Sequence, residues 1–184
     1  MKKLKRLKIS FIFLSAIILF MSFTTLMSDF KIMAEHKITF QIKYMFGQTC
    51  HGSIGGLTGK IDFDPQQPEK SFFDVMLNVS SLKTGNSKRD EHLQKKAYFD
   101  ATAFPTIQFK STRVSKTATG FLVEGNLTIK GITKAVAIPF TFKESDKGLF
   151  EGDLEINRLD YGVGKKNFLL KNEVQIHISV PVSR

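Results

Sequence analysis

The most chemically suggestive feature of this sequence is a run of five charged or titratable residues, Lys88–His92. Asp90 or Glu91 beside His92 could act as an acid/base pair, and Arg89 with His92 could hold a phosphate or hydroxyl at a pocket mouth. Arg89 and Asp90 could instead tie a short helix across the end of a β-structure by charge-assisted hydrogen bonds. We take the structural role as the default, binding next and catalysis last, since no nucleophile lies nearby in the sequence.

A second polar segment, Arg158–Gly164, contains two glycines that suit an irregular turn at the end of a strand. No helix is expected after it, so the segment is not a phosphate-binding loop. Arg158 and Asp160 are two residues apart and would point to the same side of an extended chain. We predict a buried turn that this pair anchors.

Metal and disulfide chemistry find little support in the residue types. The histidines are His36, His51, His92 and His177. No two of them have the spacing of metal ligands. Cys50 is the chain's one cysteine, which excludes an intrachain disulfide. We expect neither a metal nor a cofactor.

The elements that must position these residues are β-strands. Eight runs alternate apolar and polar residues with a period of two, as antiparallel strands with one wet face do, and they cover residues 40–44, 57–63, 73–79, 107–109, 121–129, 136–142, 150–156 and 174–182. Turn signals such as Lys130-Gly131 separate the runs. Eight short strands predict an all-β sandwich or barrel, whose interior is either filled or wide enough for one small ligand.

One short helix is expected in this all-β chain, near residues 87–96. Ser87 could cap it, with Asp90 three residues later in a loose capping box. The helix must be short, because Phe104-Pro105 begins the next extended run.

The first 28 residues predict export. Met1–Lys8 holds five basic residues and no acidic one, and residues 9–28 carry no charge. A basic head before an apolar stretch is typical of a signal peptide, here with cleavage after Ser28 or Ala34. The domain, residues 29–184, would then be periplasmic or secreted. Twenty uncharged residues can also just span a bilayer, so an uncleaved membrane anchor over residues 9–28 is the alternative.

Residues 29–184 contain 22 basic and 17 acidic residues, a net charge of +5. This excess could favour contact with an anionic membrane surface or head group, but a solvated charged surface is the preferred explanation. The basic residues are scattered and lack the interleaved aromatic residues of nucleic-acid binders. We therefore expect no nucleic-acid partner.

Five motifs follow one another in this chain: Thr84-Gly85-Asn86-x-Lys88-Arg89-Asp90-x-His92-Leu93, Tyr98-Phe99-Asp100, Phe104-Pro105-Thr106-Ile107-x-Phe109, Gly125-x-Leu127-Thr128-Ile129-x-Gly131-x-Thr133-Lys134 and Arg158-x-Asp160-Tyr161-Gly162-Val163-Gly164. In this order and spacing they resemble the YceI-like family of bacterial proteins, over nearly all of residues 30–182. Each motif is weak alone, but five in register are a strong signal. The chain departs from the family at Tyr44, where many members have a histidine.

The resemblance implies an eight-stranded antiparallel barrel like that of the lipocalins. It implies a long apolar tunnel that binds a polyisoprenoid or another long-chain amphiphile, without catalysis. Many relatives are exported to the periplasm and form dimers, so export and a homodimer are further expectations.

We therefore predict an exported binding protein, not an enzyme, that sequesters or carries a long-chain apolar ligand such as a polyisoprenoid, an isoprenoid quinone or a fatty chain. The alternatives are an envelope stress or interaction module with a filled core and, further behind, an enzyme that uses Asp90, Glu91 and His92. A ligand head group would lie near Arg89, Asp90 and His92. The side chains expected to line the tunnel are Phe40, Ile42, Phe73, Val75, Leu77, Phe109, Phe121, Val123, Ile138, Phe140, Leu154, Ile176 and Ile178.

Overall fold

The computed structural model describes residues 29–145 and 147–183, so the predicted signal peptide or anchor in residues 1–28 lies outside the described residues. The described residues form ten antiparallel strands, one α-helix and three short 3₁₀ turns. The strands are β1 (Asp29–Ile32), β2 (Lys37–Tyr44), β3 (Thr49–Ile54), β4 (Thr58–Asp62), β5 (Phe72–Asn78), β6 (Thr106–Lys116), β7 (Phe121–Ile129), β8 (Ile132–Lys143), β9 (Gly148–Asn157) and β10 (Leu170–Ser183), and the helix is α1 (Ser87–Leu93).

The strands close into a barrel with eight strand positions. Neighbours follow the order β1-β4-β5-β6-β7-β8-β9-β10, and β1 pairs again with β10. β2 continues along β10 where β1 ends, and β3 pairs with β2. Two positions of the barrel are therefore each shared by two strands. β1 and β2 share one position, and β3 and β4 share the other. The predicted all-β, eight-stranded antiparallel barrel with one short helix is confirmed.

Three strand assignments differ from the sequence prediction. β1 alternates over only four residues, and on the inward face of β3 Gly52 stands between Cys50 and Ile54, so neither strand gives an apolar run long enough to be predicted. β6 runs to Lys116, far beyond the predicted residues 107–109. The prediction stopped short because the register of β6 shifts at a bulge between Ser111 and Arg113. A bulge moves the following side chains to the other face and hides the alternation.

The helix is three residues shorter than predicted, and its cap lies one residue earlier. Asn86 is the N-cap, since its Oδ1 accepts a hydrogen bond from the backbone N–H of Arg89 (3.1 Å). Just before the helix, Lys83 exchanges two backbone hydrogen bonds with Ser53 and so covers the edge of β3. No helix among the described residues is long and apolar enough to cross a bilayer.

A two-residue turn joins β7 to β8 and ties them to the end of β9. Lys130 and Gly131 have φ values of 51° and 75°, as the tight hairpin turns that match strand twist require. The Lys130 ammonium donates a hydrogen bond to the carbonyl of Gly162 (2.9 Å). This contact fixes the Arg158–Gly164 segment against the same end of the barrel.

Candidate functional site

A cavity of about 310 Å³ occupies the inside of the barrel. Its volume lies at the lower end of the range for small-molecule sites. Nearly every strand contributes to the wall, because alternate residues of each strand point towards the barrel axis. Polar side chains reach this wall at few points, chiefly Thr84, Arg89 and Arg158. The cavity is therefore a carbon-lined space with a small polar region.

All but one of the side chains that we expected to face a tunnel lie in this wall. They are Phe40, Ile42, Phe73, Val75, Leu77, Phe109, Val123, Ile138, Phe140, Leu154, Ile176 and Ile178. The exception is Phe121, whose ring stacks on that of Phe140 with centroids 5.4 Å apart. Phe121 belongs to a cluster of rings at one end of the cavity, several of which also form part of its wall.

This phenylalanine cluster fills one end of the barrel and consists of Phe30, Phe63, Phe73, Phe121, Phe140, Phe142 and Phe150. Phe63 is fully buried at its centre and lies within 6.2 Å of five other rings, four of them edge-to-face. The cavity ends against these rings. A filled core, one of the alternatives from the sequence, describes this end of the barrel but not the rest of its interior.

The opposite end of the barrel carries α1 and opens the cavity. We call it the mouth, and define it by four half-buried side chains of the wall, Tyr44, Leu93, Leu170 and Val174. Tyr44 on β2 pairs in register with Leu170 on β10. The mouth therefore lies where the end of β2 meets the start of β10.

Arg89 and Asp90 both bind Thr84 in the cavity wall. Oδ1 of Asp90 accepts hydrogen bonds from the backbone N–H (2.8 Å) and the hydroxyl (2.6 Å) of Thr84. The Arg89 guanidinium donates from Nε to the same hydroxyl (2.8 Å) and from Nη2 to the Thr84 carbonyl (2.9 Å). These four bonds hold α1 to the segment before it, which is the structural role we took as the default.

The hydrogen bond from the Thr84 hydroxyl lowers the pKa of the Asp90 carboxyl below its ordinary value, against the opposing effect of burial. Asp90 is therefore ionised at neutral pH, and its Oδ1 is occupied by Thr84. Glu91 is exposed, and so is His92, whose ring lies 5.2 Å from that of Tyr98. Of the residues expected near a head group, the structure places Arg89 in the wall, Asp90 behind Thr84 and His92 outside the wall.

Arg158 is buried at the end of β9, and its guanidinium organises the turn that follows. It donates to three backbone carbonyls and one side chain: Val163 O (2.9 Å), Lys165 O (3.0 Å), Lys171 O (3.3 Å) and Asn172 Oδ1 (3.2 Å). None of these acceptors belongs to Asp160, which is exposed, so the pairing suggested by the sequence is wrong. Burial lowers the pKa of Arg158, but the group stays charged at neutral pH.

Tyr161 also lies in the wall and is 2% exposed. Its hydroxyl has no hydrogen-bond partner among the residues that the structure describes. Burial raises the pKa of this phenol, so it stays protonated and remains a donor at neutral pH. A buried hydroxyl without a partner is unfavourable by about 1–3 kcal/mol.

Titratable side chains do not gather into a metal site. Across residues 29–145 and 147–183, no three His, Cys, Asp or Glu side chains lie close enough together to hold a metal ion. Cys50 is a free, buried thiol in the cavity wall. It is therefore a natural chemical probe of the cavity.

A comparison with protein families settles the relationship that the five motifs suggested. The YceI-like domain matches residues 30–182, which run from β1 to the end of β10 and include the whole barrel. The chain belongs to the YceI-like family.

This YceI-like chain is similar in sequence to proteins of about the same length. A UPF0312 protein of Yersinia pestis (strain Pestoides F) is 30% identical over 173 residues, which are 89% of this chain and 90% of that protein. The UPF0312 protein YE1254 of Yersinia enterocolitica is 30% identical with the same coverage. The likeness therefore extends over nearly the full length of both partners.

Solved structures share the barrel. BcnA of Burkholderia cenocepacia superimposes with a TM-score of 0.76 at 25% identity, over 82% of this chain and 99% of that one. The YCEI protein of Campylobacter jejuni gives 0.65 at 25% identity, over 71% and 82%. A polyisoprenoid-binding domain from Saccharophagus degradans, implicated in plant cell wall breakdown, gives 0.63 at 10% identity, over 84% and 97%, and shows likeness of fold alone.

Sequence reasoning missed two contributors to the polar region of this YceI-like barrel. It treated Arg158 as half of an ion pair, and it assigned no role to Tyr161. The signal was present in the motif Arg158–Gly164, where a charged and an aromatic residue precede closely spaced glycines. The partners of Arg158 lie up to 14 residues further along the chain, and spacing alone does not identify them.

Proposed function

We propose that this YceI-like protein sequesters or carries one long-chain apolar ligand, such as a polyisoprenoid, an isoprenoid quinone or a similar lipid. The observation that carries the proposal is the carbon-lined cavity of about 310 Å³, which ends at the phenylalanine cluster and opens at the mouth. A space with one filled end suits a molecule with an oily tail, which enters first and leaves any polar head near the mouth. The polyisoprenoid-binding domain from Saccharophagus degradans, which shares the fold, supports this choice of ligand class.

Burial of the tail supplies the affinity. Each methylene removed from water contributes about 0.8 kcal/mol, so ten methylenes contribute about 8 kcal/mol. Association opposes this with at least about 4 kcal/mol of lost translational and rotational freedom. Short molecules should therefore bind weakly, and the protein should select for chain length rather than for a particular head group.

We propose a binding role rather than a catalytic one. Asp90 is engaged by Thr84, and Glu91 and His92 are exposed outside the cavity wall, so these three groups do not converge on a bound ligand. General acid/base catalysis needs a titratable group within hydrogen-bond reach of the reacting atom. None of Asp90, Glu91 and His92 lies in the cavity wall, so none of them meets this requirement for a ligand bound there.

We further propose that the domain works outside the cytoplasm after removal of the leader. The basic head of residues 1–8 and the uncharged residues 9–28 support this. The mass of the protein recovered from periplasmic and secreted fractions tests it. A chain that begins at Asp29 or Glu35 supports cleavage, whereas an intact chain in the membrane fraction supports the anchor of residues 9–28.

Native mass spectrometry tests the carrier proposal. Protein purified from its own source should carry an added mass that organic solvent removes, and the extract should contain a long-chain lipid. Protein stripped in this way should take up a polyprenol again. If no lipid is found and none can be loaded, the proposal is wrong. The same spectra show whether the protein is a homodimer, which remains a prediction.

The thiol of Cys50 gives a second, independent measurement. Because this thiol lies in the cavity wall, a bound tail should shield it from a small alkylating reagent. We expect slower alkylation in loaded than in stripped protein. Addition of a short alcohol to stripped protein should leave its alkylation rate unchanged. Equal rates in both forms would place the ligand elsewhere.

A further inference from the structure

Four large apolar side chains stand exposed beside the mouth. Phe46 is 81% and Phe168 79% exposed, and Met45 and Leu169 are each about half exposed. The backbone N–H of Met45 donates to the carbonyl of Leu169 (2.9 Å), so the β2–β3 turn and the segment before β10 form one surface. We call these four residues the apolar rim. Large exposed apolar groups that cluster in this way mark interaction sites.

Local hydrogen bonds hold the rim in this exposed position. Tyr44 and Gln48 close the turn around Phe46 through a backbone bond of 2.8 Å. Beside Phe168, Oδ1 of Asn167 accepts from the backbone N–H of Leu169 (2.7 Å). The two rings are therefore presented to the surroundings by ordered turns.

The rim continues directly into the cavity wall. Tyr44 and Leu170, the chain neighbours of Met45 and Leu169, pair in register and both line the cavity at its mouth. An oily tail that leaves the cavity would thus pass from the wall to the rim without crossing a polar surface.

The two segments that carry the rim are positively charged. Residues 43–49 and 164–172 contain no acidic residue, and their exposed lysines are Lys43, Lys165, Lys166 and Lys171. The backbone N–H of Gly164 donates to the carbonyl of Ala97 (3.0 Å), which brings the exposed Lys96 to the same end of the barrel. Apolar side chains framed by lysines complement a surface with an oily interior and anionic head groups.

We infer that the apolar rim inserts into an anionic lipid surface while the surrounding lysines contact its head groups, so that the mouth faces the bilayer. This contact goes beyond the proposed function, because the rim and its lysines would bind a lipid surface whether or not the cavity is loaded. A second copy of the chain is a poorer occupant. Two rims face to face would also bring the two sets of lysines together, and like charges oppose such a contact.

Sedimentation with vesicles tests the inference, and the probe is phosphatidylcholine vesicles with or without phosphatidylglycerol. The full-length sequence is expressed, and the protein is purified in the form that the cell produces from it. One variant, Phe46→Ser with Phe168→Ser, removes the rim rings. Its matched control, Met76→Ser, removes an exposed apolar side chain from the barrel wall.

A second variant, Lys165→Glu with Lys166→Glu, reverses charge beside the rim. Lys116→Glu with Lys147→Glu makes the same change of net charge at the opposite end of the barrel and is its control. An unchanged far-ultraviolet spectrum shows that each variant keeps the barrel.

We expect the unaltered protein to sediment with the phosphatidylglycerol vesicles and to bind pure phosphatidylcholine more weakly. Reversal of the two lysines should weaken binding at least tenfold, since each basic side chain near an anionic surface contributes about fivefold. The ring variant should bind weakly to both kinds of vesicle, and the two controls should behave like the unaltered protein.

Equal binding of all variants, or no binding of the unaltered protein, would overturn the inference. So would a dimer of the unaltered protein, seen by sedimentation velocity, that disappears in the ring variant while vesicles remain unbound. That result would assign the rim to contact between two copies.

Discussion

Asp90 accepts two hydrogen bonds through one oxygen from Thr84, one from its backbone N–H (2.8 Å) and one from its hydroxyl (2.6 Å). Arg89, the residue before Asp90, donates hydrogen bonds to the hydroxyl and the carbonyl of the same threonine. The charged tract of α1 thus holds the helix to the barrel end, and Thr84 is the point on which both charges act.

Replacement of Asp90 by Asn should destabilise the protein at neutral pH. The Thr84 bonds lower the pKa of the folded carboxyl below its ordinary value of 3.8, so the ionised form stabilises the fold above that value. This stabilisation is lost as the pH falls from 3.8 through the lower folded-state pKa. The deficit of Asp90→Asn in urea unfolding should therefore be present at neutral pH and shrink in strong acid.

Glu91→Gln is the matched control for Asp90→Asn, since it removes the neighbouring exposed carboxylate, which has no bond to Thr84. It should leave the unfolding midpoint nearly unchanged at either pH. A deficit of Asp90→Asn that is the same at neutral and strongly acid pH would show that the charge of Asp90 is not what stabilises the fold.

Arg158→Lys should lower the free energy of unfolding by about 2 kcal/mol, because an ammonium cannot reproduce the spread of a guanidinium and leaves buried acceptors unpaired. The acceptors at risk are the carbonyls of Val163, Lys165 and Lys171. Chemical denaturation measures the change, and faster amide exchange in residues 163–172 should accompany it. Arg113→Lys, the same substitution at an exposed position of β6, should have little effect. An equal loss in both variants would contradict the proposed role.

Leu154→Trp should block ligand loading and leave the barrel folded. Leu154 lies in the cavity wall opposite Ile176 in the β9–β10 ladder, and a larger side chain there would occupy space that a tail needs. Glu155→Trp is the control, because the next residue of the strand points outwards and is exposed. Native mass spectrometry after incubation with a polyprenol should show uptake by the control and at least tenfold less by Leu154→Trp. Undiminished loading would place the ligand outside this cavity.

Tyr161→Phe should raise the free energy of unfolding of stripped protein by about 1 kcal/mol, since it removes a buried hydroxyl that lacks a partner among the described residues. Tyr161→Leu, which also removes ring volume, should instead destabilise by about 2–4 kcal/mol through the void it leaves. Thermal and urea unfolding measure both changes. A clear loss of stability in Tyr161→Phe would mean that the hydroxyl has a partner in solution.

Much of the candidate site follows from local pattern. The period of two placed Phe40, Ile176 and Ile178 on inward faces, because successive side chains of a strand point to opposite sides whatever the partner strand is. The motifs pointed to the YceI-like family, and the charged tract Lys88–His92 marked the one α-helix that the structure describes. These are properties of short segments, which a sequence states directly.

The position of a residue along the barrel axis was decided only by the tertiary structure. Phe121 and Val123 share the inward face of β7, yet Phe121 lies in the phenylalanine cluster and Val123 in the cavity wall. Alternation determines which face a side chain takes, whereas its depth depends on the tilt and stagger of all eight strands together. The same long-range geometry brings Arg158 to its carbonyl partners and places Met45 beside Leu169. The sequence by itself therefore determined a barrel of the YceI-like family with an apolar interior. The packing of distant strands decided which end of that interior is filled and which end opens.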